Sequence, residues 1–300
     1  MLPFAWHRLI LSIPDKWSPL KLSGDARKGS AEFADLHRPR LALRWDTLKK
    51  PPADPEALLR RSLLAEIGSL AATEARPPAT LPTSASHCLL YEDNEPYKRD
   101  LAVAYFPISR RIVQLSYPIR RRENTLEHDL LPSLADIPPS DPAPWSIFEL
   151  TCLTPPSLRL ERHRLNAGDL SLFFVGPRRA GGLIQPGVWF SVRQIAVATL
   201  ALQRTKLFGW ARAMQKPDDR IYRHARSSQS TTLTVAGNEF PAELLTMRRR
   251  HRFAFLRWFP KHCHTLACHD TARDRLVIVH GTDEPTLREL AATLGSSTPA

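Results

Sequence analysis

The densest run of reactive side chains is His262-Cys263-His264-Thr265-Leu266-Ala267-Cys268-His269-Asp270. Imidazole and thiolate ligate zinc, and a structural zinc site takes four such groups in a tetrahedron. Successive side chains of a strand point to opposite faces, so His262, His264 and Cys268 share one face while Cys263 and His269 take the other. The three on one face are the candidate zinc ligands. All five converge only through a bulge, the spacing is not that of a paired Cys-x-x-Cys site, and buried Cys beside surface His accounts for the run as well.

Two basic runs come next, Arg120-Arg121-Arg122 at the end of a strand and Arg248-Arg249-Arg250-His251-Arg252 before one. Guanidinium groups grip phosphate and carboxylate with two parallel hydrogen bonds. Phe253, Phe255 and Trp258 close by offer faces for single-stranded bases. Arg120, Arg121, Arg122, Arg248, Arg249, Arg250 and Arg252 are therefore the candidate contacts to nucleic acid or an acidic partner. The competing reading is a solvated loop edge with the aromatics in the core. The net charge of +12 favours acidic partners. Much of it comes from 33 Arg against 9 Lys, a usage that GC-rich coding also produces.

Enzyme signatures are missing at the level of sequence: there is no Walker loop, no Gly-x-Ser-x-Gly elbow and no His-Glu-x-x-His. Gly181-Gly182 lies between Arg178-Arg179 and Pro186 without the strand-to-helix context of a phosphate cradle, and reads as a turn. Four scattered cysteines make no disulfide framework and suggest reduced thiols in a cytoplasm. No segment approaches the roughly 20 apolar residues of a membrane span.

The elements that must carry these groups follow from periodicity. Leu9, Leu11 and Ile13 alternate as a strand, and Leu20 to Phe33 reads as a hairpin. Leu41, Leu43 and Trp45 alternate with Arg40, Ala42 and Arg44, a strand with a basic open face. Asp54-Pro55-Glu56 opens a helix in which Leu58, Leu59, Leu63, Ile67 and Leu70 recur at mostly three-to-four spacing, so that one face is apolar. Strands at Cys88 to Tyr91, Leu101 to Phe106 and Ile112 to Tyr117 precede a closing helix at Thr125 to Ala135.

A similar order returns after the Pro-rich stretch Ile137 to Pro144. Strands at Phe148 to Cys152, Leu158 to Leu165 and Leu170 to Val175 precede a helix from about Lys206. Strands at Thr231 to Val235, Phe253 to Phe259, Thr265 to His269 and Leu276 to Val279 precede a helix capped by Asp283. Trp145 follows Trp6 by 139 positions, and Gly168 follows Gly29 by 139. The chain thus reads as a duplication. The expected class is α+β, with two similar modules at 1–136 and 145–300 joined by a linker at 137–144. Each is an antiparallel sheet packed with helices in strands-helix-strands-helix order.

Pro14, Trp17 and Ser23-Gly24-Asp25 in one copy, with Pro155, Leu158 and Asn166-Ala167-Gly168-Asp169 in the other, resemble the opening of the PsbP-like fold. That resemblance implies tandem binding or assembly modules acting through protein–protein contacts, and it carries over no functional residue. A non-enzymatic binding protein is the first expectation. It would use its basic strand faces or the cleft between modules, with a protein partner and no cofactor. A nucleic-acid-associated protein is the second, and a zinc-dependent enzyme built on His262 to His269 the third.

Overall fold

The computed structural model describes residues 1–67, 74–92, 99–118, 126–176, 188–214, 222–223, 225, 228–250 and 260–295. An α+β class does not hold. Strand takes up 52% of the structure and helix 18%, in three antiparallel sheets with a few short helices. The chain divides into two compact units, Met1–Glu149 and Leu150–Ser297.

Unit 1 runs β1 (Leu2–Trp6), β2 (Leu9–Ile13), β3 (Ser18–Gly24), β4 (Lys28–Ala34), β5 (Pro39–Thr47), α1 (Pro55–Ile67), β6 (His87–Tyr91), β7 (Arg99–Phe106) and β8 (Arg111–Pro118). A π turn at Leu126–Leu130, a 3-10 turn at Leu131–Ser133, β9 (Ala135–Asp136) and β10 (Ala143–Ile147) complete it. A six-stranded sheet has the order β3-β4-β5-β8-β7-β6, and a smaller one includes β10-β1-β2-β9. Leu41, Leu43 and Trp45 are buried on the inner face of β5. Phe4 meets Phe33 there edge to face, with ring centroids 4.7 Å apart, so the smaller sheet lies on that face. Trp6 and Trp145 also meet edge to face, at 5.5 Å.

Helix α1 starts where Asp54 accepts from the Ala57 amide at 3.0 Å and Pro55 gives up no hydrogen bond. Its Leu59 and Leu63 are fully buried against Leu89, Leu101, Val103 and Tyr105 on the outer face. Each contributes about 1.5–3 kcal/mol by burial. The closing helix expected at Thr125 to Ala135 is instead two tight turns, because Pro132 cannot extend an α-helical ladder. The Pro-rich stretch packs into unit 1: Arg8 donates to the carbonyls of Pro138 and Asp141, and Ala143–Ile147 is a wholly buried strand.

Unit 2 runs β11 (Leu150–Thr154), β12 (Arg159–Asn166), β13 (Asp169–Val175), β14 (Trp189–Ala196), α2 (Ala198–Leu202), α3 (Leu207–Met214), β15 (Tyr222–Arg223), β16 (Ser228–Val235), β17 (Asn238–Arg249), β18 (His262–Asp270), β19 (Arg275–Gly281) and α4 (Glu284–Ala292). Its sheet has the order β12-β13-β14-β19-β18-β17-β15, with β16 also on β17. The β16–β17 hairpin turns at Ala236-Gly237, both with positive φ. The expected strand at Phe253 to Phe259 lies outside the described residues.

The run β3-β4-β5-β8-β7-β6 and the run β12-β13-β14-β19-β18-β17 have the same connectivity, and the registers of their first hairpins, β3–β4 and β12–β13, match residue by residue. Ser18 pairs with Ala34 and Arg159 with Val175. The register slips between Pro19 and Lys21, and again between Leu160 and Arg162. These equivalences lie 141 positions apart, as do Pro14 and Pro155, whose carbonyls accept from the Trp17 and Leu158 amides at 2.9 and 3.0 Å. The spacing of 139 was therefore a coincidence of types. Trp145 corresponds to Phe4 and Gly29 to Leu170. Among the described residues, no helix is long and apolar enough to cross a membrane.

Candidate functional site

Helix α1 covers only the β6–β7 side of the outer face of the six-stranded sheet, where Leu89, Leu101, Val103 and Tyr105 are apolar. The remaining side is built from polar residues that stand abreast. Ser23, Ser30, Arg44 and Gln114 face one another across β3, β4, β5 and β8. One step along, Lys28, Asp46 and Ile112 do the same. This half-face and Ser62 of α1 enclose an open cleft of about 630 Å³.

The sequence positions these groups by the alternation that buries their neighbours. With Leu41, Leu43 and Trp45 turned to the core, Arg44 and Asp46 must point outward. Trp45 also fixes the hairpin beside the cleft. Its indole N–H donates to the Asp25 carbonyl at 2.8 Å, and its ring covers Gly29, where a Cβ would come within 2.4 Å of it.

The charges in the cleft are loosely held. Lys28 lies 3.4 Å from Asp46, both well exposed. Arg44 donates from Nη1 to Glu66 of α1 at 3.2 Å. Its Nε and Nη2 edge has no partner among the described residues. The Ser23 and Ser30 hydroxyls share a hydrogen bond of 2.8 Å. The described lining offers one carboxylate, Asp46, and no imidazole or thiol, so it can bind and orient but holds no acid–base or nucleophile pair.

The zinc candidates are placed on β18, and two of the three come together. The His262 and His264 rings are 6.1 Å apart, whereas Cys268 lies four residues beyond His264, roughly 13 Å along a strand. His264 Nδ1 is 3.1 Å from the Thr246 hydroxyl and 3.6 Å from Glu284, and burial pushes its pKa down. Burial pushes the Cys268 thiol up to about 12. Among the described residues, no group of three or more His, Cys, Asp or Glu can hold a metal ion.

On the opposite face of the same strand, Cys263 Sγ is 3.5 Å from His280 Nε2, and His280 Nδ1 is 2.7 Å from the Thr265 hydroxyl. The order resembles a nucleophile, a base and an orienting group. Cys263 is fully buried beside Tyr222 and Met247, however, so the contact satisfies His280 and presents no nucleophile to solvent.

Of the Arg candidates, Arg248 is exposed at the end of β17, Arg249 is half-buried, and Arg250 donates from Nε to the Tyr222 carbonyl at 3.1 Å. Arg120, Arg121, Arg122 and Arg252 lie outside the described residues, as do Phe253, Phe255 and Trp258. Unit 2 carries instead a stack that the sequence did not announce. Arg162 sits 4.4 Å over the Phe173 ring, Phe173 stacks on Trp189 at 5.7 Å, and Trp189 meets His280 at 4.9 Å.

Arg44 was legible as part of a basic strand face, but Ser23, Ser30, Ser62 and Gln114 had no signal beyond polarity at alternate positions. The residues behind the PsbP-like resemblance are turn formers at matching places in the two units. No protein-family model and no curated protein matches the chain.

Proposed function

We propose that the protein is a non-enzymatic binding protein that holds a segment of another polypeptide across the outer face of unit 1. One observation carries this: α1 covers the apolar half of that face and leaves the charged half as an open cleft. Small-molecule sites are enclosed and bury most of the ligand. An open cleft whose lining carries hydroxyl and charged side chains suits a partner that brings its own backbone and side chains. The occupant lies on the sheet face and is held by side chains.

A photo-crosslinking residue at Ser62 or Gln114 tests the reading. The same covalent protein adduct is expected at both positions and not at Leu36, which is 95% exposed and does not line the cleft. Absence of an adduct at both cleft positions, or equal labelling at Leu36, removes it.

The stack in unit 2 favours a second reading, single-stranded nucleic acid lying across Arg162, Phe173 and Trp189. Base–aromatic stacking is worth about 1–3 kcal/mol per base. A labelled oligothymidylate should then bind with an affinity that falls between about 50 and 200 mM salt and drops on Trp189→Ala. Binding unchanged by that substitution removes the second reading.

A further inference from the structure

The internal repeat supplies an occupied counterpart of the open cleft. Ser30 pairs with Arg44 across β4 and β5, and Ser171 pairs with Arg193 across β13 and β14 at the equivalent place. Both Arg residues project from the outer face of their sheet. In unit 2 the Arg193 guanidinium is engaged: Nε donates to Asp169 Oδ1 at 2.7 Å and Nη2 to Oδ2 at 2.9 Å. Asp169 stands where unit 1 has Lys28, 141 positions earlier. In unit 1, then, the edge of Arg44 that matches the engaged edge of Arg193 has no partner among the described residues. The residue that would supply the carboxylate is replaced by a second cation.

We infer that the cleft of unit 1 takes a side-chain carboxylate of an acidic polypeptide segment, gripped in two-point fashion by Nε and Nη2 of Arg44. This rests on the reading of the cleft as a polypeptide-binding face. Lys28 flanks the incoming anion, and the Ser30 hydroxyl stands beside Arg44 on the neighbouring strand. The competing internal contacts are weak. Arg44 to Glu66 is a single hydrogen bond from a side chain that is 60% exposed, and Lys28 to Asp46 joins two exposed groups. Neither occupies the fork. The fork also explains why Arg stands here: an ammonium at this position offers a point charge and no parallel pair of donors.

The test uses the whole protein with isotope-labelled arginine, observing the Arg Nε–H resonances during titration with tetraglutamate or tetraglutamine peptide. Arg44→Lys assigns the Arg44 signal by removing it. The expected result is that tetraglutamate moves the Arg44 signal, tetraglutamine leaves it in place, and the Arg193 signal stays put because its fork is filled. Arg44→Gln should weaken tetraglutamate binding about tenfold or more, with Arg44→Lys recovering less than half of that loss. An Arg44 signal unmoved by tetraglutamate, or moved equally by tetraglutamine, overturns the inference. Its failure is separable from failure of the binding reading. Crosslinks at Ser62 and Gln114 that survive Arg44→Gln keep the cleft and remove the carboxylate grip. Loss of those crosslinks with the glutamate-specific shift intact does the opposite.

Discussion

Arg111 and Asp136 meet inside unit 1 at 2.5 Å, with side chains 4% and 3% exposed. Arg111 also donates to the carbonyls of His7 and Ala26, which ties the turn after β1 and the β3–β4 turn to β8. Burial pushes the Asp136 pKa up, and the Arg111 charge opposes that rise. Removing one partner leaves an uncompensated buried charge, so Asp136→Ala should cost about 3–5 kcal/mol in denaturant unfolding. Replacing both residues with apolar ones of similar volume should restore most of it. A second ionic contact sets the acid limit. Arg76 and the Ala79 amide hold Glu127 at about 2, below its ordinary 4.5. The unfolded chain binds this proton more readily, so the stabilisation is complete above about pH 4.5 and is lost as the pH falls toward 2. Because Arg76 is half exposed, its size is on the order of 1 kcal/mol. Glu127→Gln should lower the melting temperature at pH 7 and leave it unchanged near pH 2. Neither pair was legible beforehand. The strand expected from Ile112 left Arg111 outside it, and nothing in the types of Glu127 or Asp136 tells a buried carboxylate from a surface one.

The β5 strand, which buries every second residue, and the β19 strand, buried along almost its whole length, were read to within two residues of their ends, while β18 was begun three residues late at Thr265. The β17 strand was missed, although Ala236-Gly237-Asn238 between Leu233, Val235 and Phe240, Ala242 is a hairpin signal. Its charged end at Arg248 and Arg249 drew attention away from Leu244, Leu245 and Met247. Of the four expected helices only Thr125 to Ala135 failed, while α1, α3 and α4 start where the sequence placed them; the class was misjudged because strands such as β1, β15 and β17 went unread. In the β3–β4–β5 meander, Gly29 is required by contact and not by backbone angle. A Cβ there would stand 2.4 Å from the Trp45 ring and 2.4 Å from the Ser23 carbonyl. Gly29→Ala should cost about 1–3 kcal/mol by overpacking. A matching loss in the melting temperature, with a red shift of Trp45 emission in a variant keeping that indole alone, checks it.

For the chain as a whole, the expected duplication rested on residue types, whereas the likeness between the two large sheets rests on connectivity and on the register of their first hairpins. Matching types at Trp6 and Trp145 suggested one spacing, while the hydrogen-bond register of the first hairpins gives another. The two large sheets should therefore share a pattern of local stability. Amides of β5, β8, β14 and β19 are expected to exchange slowest and those of β3 and β12 fastest among the large-sheet strands, measured by deuterium uptake of peptides. Protection of β12 equal to that of β14 would contradict its place at the rim. The slip after Pro19 and its twin after Leu160 lie in those two outermost strands. A polypeptide carrying the same ribbon twice risks zipping one copy onto another and growing into fibres. An irregular step near the start of both ribbons denies neighbouring chains a straight template, and repeating the step in each copy guards against polymerisation from either one.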